Sequence, residues 1–302
     1  MIIDFKNGYQ GKLAIALGLF DSVHNGHRAL ISRTRTYAES IGIESAVLTF
    51  GDNLYKALGS CEEQIYTFNE RIELIGELGV DHIIAVEPDI NLINMSPTDF
   101  MDFLTENYDI DTIFCGRDFK FGLNNAGDIN FMSNYCLNKS IKTDISEMVL
   151  DDGEKISSSN IRKLIKEGDI SKAKSLLGKP YMIIGEVVRG SGKGKSLGFP
   201  TANIKLTDDK LKLSEGVYAT AAIVDGVKYN SLSNVGGKPT FDDMEFNVET
   251  FIIDYSGDEL YGKQIKILFY DRIRSVMKHQ NMEELILQIK VDLAYSDNIE
   301  RT

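Results

Sequence analysis

Residues 13–30 read LAIALGLFDSVHNGHRAL, and the change of period inside them decides the fold of the first half of the chain. Leu13 to Phe20 is an apolar run without polar alternation, the pattern of a strand buried on both faces. A turn follows through Asp21, Ser22, Val23, His24 and Asn25, and helical spacing then holds from Gly26 to Ser40. The same alternation recurs outward from this stretch. Ser45 to Phe50, His82 to Val86 and Thr112 to Cys115 read as further strands, and Tyr66 to Leu78 and Pro97 to Asn107 as helices. The second of these helices opens on a Ser96 cap with Pro97 at its first position. Strand and helix in alternation predict a mostly parallel, Rossmann-like α/β sheet, with ligands at the carboxyl ends of its strands.

Farther along, Ser158 to Lys166 and Ile170 to Leu177 read as two short helices that stop at Gly178, Lys179 and Pro180. Beyond that stop the period changes. Tyr181 to Val188, Gly216 to Val224, Phe246 to Asp254 and Gln264 to Tyr270 are short runs rich in Val, Ile, Tyr and Phe, separated by Gly or Asp turns. They predict an antiparallel barrel. A terminal helix, Met282 to Ala294, carries Leu285, Ile289 and Leu293 at intervals of four and is expected to pack on that barrel. The change of period places a domain boundary between residues 178 and 179.

The 302-residue chain is 43% hydrophobic and 26% charged, with a net charge of -12. So acidic a surface argues against nucleic acid or anionic membrane as a partner, and leaves self-association open. No apolar stretch reaches the ~18 residues that span a bilayer, and no N-terminal run combines a basic start with an apolar stretch and a small-residue cleavage site, so a cytoplasmic location is expected. Cys61, Cys115 and Cys136 lack metal-ligand spacing and read as thiols in a reducing compartment. Anionic substrates must then be held by local devices such as helix N-termini, metal ions or short basic loops.

Two regions offer such devices. In the first half, His24 and His27 straddle Gly26 at a strand-to-helix turn. There the helix N-terminus offers N–H donors, the glycine admits phosphate, and the imidazoles can donate to oxygens that gain charge; the bland alternative is two histidines that cap and pack. A second helix opens on Ser157, Ser158 and Ser159 with Arg162 behind them, more hydroxyl and charge than one cap needs. After the strand Thr112 to Cys115, Phe119 and Phe121 are spaced to flank a planar ring, or simply line one face of a strand. In the second half, Arg189 to Ser196 invites comparison with a P-loop. Arginine at 189 and the missing helix break that pattern. Glu249 stands among the apolar Phe246, Val248 and Phe251, where a lone carboxylate reads as a residue of a solvated strand face.

The loop His24-Asn25-Gly26-His27, with the later Ser-Ser-Ser-x-Ile-Arg run, resembles the nucleotidylyltransferase superfamily, whose members attack the α-phosphate of ATP and release pyrophosphate. Gly116-Arg117-Asp118-Phe119-Lys120-Phe121-Gly122, followed by Gly127 and Asp128, resembles the flavin-side motif of bacterial bifunctional riboflavin kinase/FMN adenylyltransferases. Leu197-Gly198-Phe199-Pro200-Thr201-Ala202-Asn203 is similar to the Pro-Thr-Ala-Asn signature of the riboflavin kinase barrel. Gly216 to Tyr218, Asn234 to Gly236, Pro239 to Phe241, Glu249 and Tyr261 to Lys263 then fall in that family's order.

The resemblance implies an adenylyltransferase domain over residues 1–178 and a kinase domain over 179–302, with ATP, Mg2+, riboflavin and FMN as the small molecules handled. It assigns catalysis of adenylyl transfer to His24, His27 and Arg162. ATP falls to Gly18, Phe20, Asp21, Gly26, Ser157, Ser158 and Ser159 in the first half and to Gly192, Lys193, Gly194 and Lys195 in the second. Flavin falls to Asp118, Phe119, Phe121, Gly122, Asp128 and Arg274, the metal to Thr201 and Asn203, and the role of base to Glu249. The chain departs from the family at Gly51-Asp52-Asn53, where a Phe-x-Pro-His-Pro turn is usual. It departs again at Phe251 in place of histidine, at Val276 and His279 in place of glutamate and phenylalanine, and at Ser22 in place of glycine. Two alternatives follow: a chain with only one activity left, or a flavin-binding regulator without chemistry.

Overall fold

The computed structural model describes every residue except 53, 148, 152, 191–193, 195–197, 208, 240–243 and 302. The chain forms two compact units, Met1–Ser158 and Ser159–Thr302.

In the first unit the strands are β1 (Ile2–Asp4), β2 (Tyr9–Leu17), β3 (Glu44–Phe50), β4 (His82–Val86), β5 (Tyr108–Gly116) and β6 (Lys142–Ser146). They make one sheet in the order β1-β4-β3-β2-β5-β6, parallel throughout. The helices are α1 (Asn25–Ile41), α2 (Leu54–Ala57), α3 (Phe68–Gly76), α4 (Ile90–Ile93), α5 (Pro97–Asn107) and α6 (Ile129–Asn138). Leu13 to Leu17 on the central β2 are all buried, as the unbroken apolar run requires. The cap of α5 is the expected one: Ser96 and Asp99 form a reciprocal capping box ahead of Pro97. A small hairpin, β7 (Leu150–Asp151) with β8 (Glu154–Lys155), follows the sheet.

The second unit begins with α7 (Ser158–Glu167), whose first residue closes the first unit, and α8 (Ile170–Leu177). Six strands then close a barrel: β9 (Tyr181–Val188), β10 (Thr201–Lys205), β11 (Gly216–Val224), β12 (Val227–Pro239), β13 (Met244–Ile252) and β14 (Gln264–Arg274). Their order is β10-β13-β12-β11-β14-β9, every pair antiparallel. The α/β sheet, the antiparallel barrel and the terminal helix, here α9 (Met282–Asp297), are those expected.

Two details differ from the sequence reading. By contacts, α7 and α8 group with the barrel and not with the sheet: α8 buries Ile170, Ala173, Leu176 and Leu177, and its Ser171 hydroxyl donates to Asp271 of β14. And α9, which packs on β11, β12 and β14 as expected, buries polar residues more fully than its apolar stripe. Leu285, Ile289 and Leu293 are half-buried, whereas Asp292 and Ser296 are buried. Arg274, at the end of β14, donates to both carboxylate oxygens of Asp292, at 2.7–3.0 Å. Among the described residues no helix is long and apolar enough to cross a membrane.

Candidate active sites

The loop after β2 folds tightly, with Phe20 at φ 55° and Val23 at φ 41°. A β-branched residue in the left-handed region is strained, and such strain gathers where neighbours over-determine a functional turn. The neighbours are visible. The buried Asp21 accepts the Ile65 N–H at 3.1 Å and the Tyr55 hydroxyl at 3.2 Å. Gly18 lies so close under the Phe20 ring that a Cβ there would stand 2.8 Å from it. Ser22, where the family pattern has glycine, keeps an ordinary φ, and its hydroxyl meets that of Ser158 at 2.9 Å. That departure thus ties the histidine loop to the serine run.

His24 is the N-cap of α1, its Nδ1 accepting the His27 N–H at 3.1 Å. The two imidazoles stack at 3.7 Å and 11°, and the rings of Phe20 and His27 form a T-shaped pair at 5.2 Å. Burial pushes the His24 pKa down to about 4, and burial together with His24 holds His27 well below the ordinary range. Both rings are therefore neutral at pH 7. Because Nδ1 of His24 accepts, its single proton sits on Nε2, where it can be donated outward. Gly26 lies against this ring, a Cβ there standing 3.0 Å from His24 Cε1, so the turn accepts no larger residue without moving the imidazole.

At the end of β3, in place of the family turn, the fully buried Arg71 donates to the Phe50 carbonyl at 2.5 Å and to that of Gly51 at 3.3 Å. Asp52 accepts the Phe68 N–H at 2.7 Å. Nothing in the sequence singled out Arg71.

On the flavin-side loop two expectations change. Phe119 and Phe121 do not flank a slot. Their rings stack on each other at 5.6 Å and 19°, and Phe121 is buried between Phe100 and Phe131 in the core. A ring sandwiched between two others needs roughly twice the spacing of a single stacked pair, so a planar ligand can use one free face of Phe119 at most. Asp128 caps α6 by accepting the Asn130 and Phe131 N–H groups, and Gly122 (φ 72°) passes against Pro97 where a Cβ would clash at 2.8 Å. Asp118 is exposed and paired with Lys155 of β8 at 2.5 Å, which lowers its carboxyl pKa. Lys155 belongs to no motif, so the sequence does not mark it. On α7, Ser157 is half-buried, Ser159 exposed and Arg162 buried.

In the barrel, antiparallel register does what sequence spacing could not. Glu249 of β13 lies directly opposite Asn203 of β10 on one side and Asn234 of β12 on the other, and Thr201 lies opposite Phe251. Directly paired residues share a face. The opposite face of these strands is buried, through Val248, Thr250, Ile204 and Val235. Glu249, Asn203, Thr201 and Asn234 therefore line one outer patch. Phe251, in the position of the usual histidine, meets Phe199 edge-on at 5.4 Å. Gly194 approaches this patch, since a Cβ there would stand 3.2 Å from Thr201 Oγ1; Gly192, Lys193 and Lys195 lie outside the described residues, as do Asn53, Thr240 and Phe241. Arg274, expected at flavin, spends its guanidinium on Asp292 and the Ser275 carbonyl.

Among the described residues no cluster of His, Cys, Asp or Glu could hold a metal alone. Thr201 and Asn203 instead offer a hydroxyl and an amide oxygen. Such neutral oxygen donors fit a magnesium ion that arrives on nucleotide phosphates and keeps several waters.

A family model described as FAD synthetase matches residues 6–160, and one described as riboflavin kinase matches residues 177–299. The chain is 35% identical to a bifunctional riboflavin kinase/FMN adenylyltransferase of Bacillus subtilis, over 94% of this chain and 91% of that one. It is 32% identical to the protein of that name from Listeria monocytogenes, over 92% and 89%. A crystal structure of a macrolide-efflux protein from Streptococcus pneumoniae superposes with a TM-score of 0.88 at 27% identity, covering 99% of both chains.

Proposed function

Because the chain belongs to the bifunctional riboflavin kinase/FMN adenylyltransferase family, with an FAD synthetase and a riboflavin kinase domain, we propose that it makes FMN on its barrel and FAD in its parallel-sheet unit, using ATP and Mg2+ in both. The observation that carries the reading is the register that aligns Asn203, Glu249 and Asn234 on one barrel face.

On that face Glu249 accepts the proton of the terminal ribityl hydroxyl as its oxygen attacks the γ-phosphorus of ATP, and ADP leaves. Thr201 and Asn203 would hold the magnesium ion, which neutralises charge on the phosphate oxygens. Gly194, and Gly192, Lys193 and Lys195 with it, are assigned to the nucleotide phosphates.

In the first unit a phosphate oxygen of FMN attacks the α-phosphorus of ATP, and pyrophosphate leaves. The neutral His24 donates from Nε2 to phosphate oxygens that gain charge, and the N-terminus of α1 supports the same charge. Ser158 is positioned by Ser22; the role of Arg162 rests on the family resemblance alone. The flavin meets the exposed face of Phe119, with Asp118 beside it. Gly18, Asp21 and Asp128 act through the backbone they hold. With a net charge of -12, the protein is read as a cytoplasmic enzyme of small molecules and not a nucleic-acid binder.

Incubation of the pure protein with riboflavin, ATP and MgCl2, followed by chromatography, is expected to yield FMN and then FAD. FMN without FAD at any magnesium concentration would leave a kinase alone, and neither product would overturn the proposal.

A further inference from the structure

Asn247 precedes Glu249 by two residues on β13 and so shares its face. It carries no motif, and the family resemblance assigns it nothing. Its Nδ2 donates to Asn203 Oδ1 at 3.1 Å, while Asn203 Nδ2 donates to the Thr201 carbonyl at 3.3 Å. The two bonds agree with each other. Asn203 can offer its oxygen to Asn247 only while its nitrogen faces Thr201, so both amides are fixed in one orientation. Gly190 closes the other side, where any Cβ would run into the Asn203 amide. Asn247 Oδ1 is buried and has no hydrogen-bond partner among the described residues, and a buried acceptor in that state marks a place where water or an ion-bound group belongs.

We propose that Asn247 is a positioning residue of the kinase, holding the Asn203 amide with its oxygen toward the magnesium ion and accepting, through its own Oδ1, a hydrogen bond from a metal-bound water. The inference rests on the assignment of the barrel to riboflavin phosphorylation. Its physical basis is general: groups that orient a metal ligand typically change metal affinity by about 10–100-fold when removed.

The test uses the full-length protein, Asn247→Leu and the isosteric Asn247→Asp. Two quantities are read: the Mg2+ concentration giving half-maximal FMN formation, and calorimetric binding of ADP with and without Mg2+, which needs no turnover. With leucine the Asn203 amide is released. Half-maximal Mg2+ should rise by about tenfold or more, and the tightening of ADP by Mg2+ should shrink to match, with metal-free ADP binding and the thermal transition unchanged. With aspartate the donor is lost and the Asn203 nitrogen is drawn toward the new carboxylate, so weaker Mg2+ dependence is again expected. Leucine with wild-type Mg2+ dependence in both readouts overturns the proposal. So does tighter Mg2+ binding in Asn247→Asp, which would make residue 247 a metal ligand itself. Absence of Mg2+-dependent FMN formation in the wild type would remove the kinase assignment and the inference with it; wild-type turnover beside an unaffected leucine variant would remove the inference alone.

Discussion

At the scale of single residues, the two candidate sites are told apart by how each controls charge. In the barrel Glu249 is the carboxylate set between two asparagines by register. Glu249→Gln keeps its shape and removes its basicity. Riboflavin phosphorylation should fall by ~10² or more, while FAD formation from supplied FMN is unchanged; unchanged FMN formation would exclude Glu249 as the base. In the first unit the histidines are neutral because they are buried, which has a signed consequence for stability. His24 falls from an ordinary 6.5 to about 4 in the native state, so between those values the unfolded chain binds more protons. Its contribution vanishes above about pH 6.5 and becomes a destabilisation as pH falls, amounting to about 2 kcal/mol at pH 5. Urea unfolding of the first unit at pH 7 and pH 5 should show that loss, and His24→Asn should flatten the dependence; an unaltered slope in the variant would mean that other groups set it. His24, His27 and Glu249 were all visible in the sequence because each belongs to a short local pattern. Arg71, Lys155 and Asn247 were not: their partners, Phe50, Asp118 and Asn203, are brought to them only by tertiary pairing.

At the scale of elements, the parts that could be read were those with one continuous apolar signal. β2 and β3 bury unbroken runs, whereas β12 went unrecognised because its buried face includes Ser231 and Ser233, hydrogen-bonded at 2.8 Å to Thr220 and Thr250. β1 has three residues and β6 no fully buried one, too little pattern for an edge strand to announce itself. The terminal helix and its packing on the barrel are legible in the sequence, but its most buried contacts are not. Its stripe of Leu285, Ile289 and Leu293 is half-exposed, and Asp292 under Arg274 is its buried contact. Removing one member of a buried pair leaves an uncompensated charge, which costs about 3–5 kcal/mol. Asp292→Ala should therefore lower barrel stability by that order, and Arg274→Met combined with Asp292→Leu should recover most of it, measured by urea midpoints. The same pair bears on the flavin assignment of Arg274. If Arg274 only anchors α9, the double variant keeps its KM for riboflavin, whereas a large rise in KM with stability restored would return Arg274 to the flavin.

At the scale of the whole molecule, the question is where the kinase begins. Periodicity changes at Gly178, where α8 ends in a left-handed glycine at φ 72°, and a boundary read from pattern alone falls there. Packing argues for an earlier start. Ile170, Leu176 and Leu177 of α8 are buried, and α8 packs on β14 and β9. Burial of a side chain of that size stabilises by roughly 1.5–3 kcal/mol. Three of them together rival the ~5–15 kcal/mol that holds an entire domain. Pattern could not reveal this, because an amphipathic helix shows which face it hides but not which neighbour covers it. The compact unit Ser159–Thr302 should accordingly fold when expressed alone and phosphorylate riboflavin with ATP and Mg2+. A fragment of residues 180–302, stripped of α7 and α8, should be insoluble or melt far lower. Thermal unfolding and FMN formation measured on both fragments decide between the boundaries. Equal stability and equal activity would show that α8 is dispensable to the barrel and would return the limit of the kinase to Gly178.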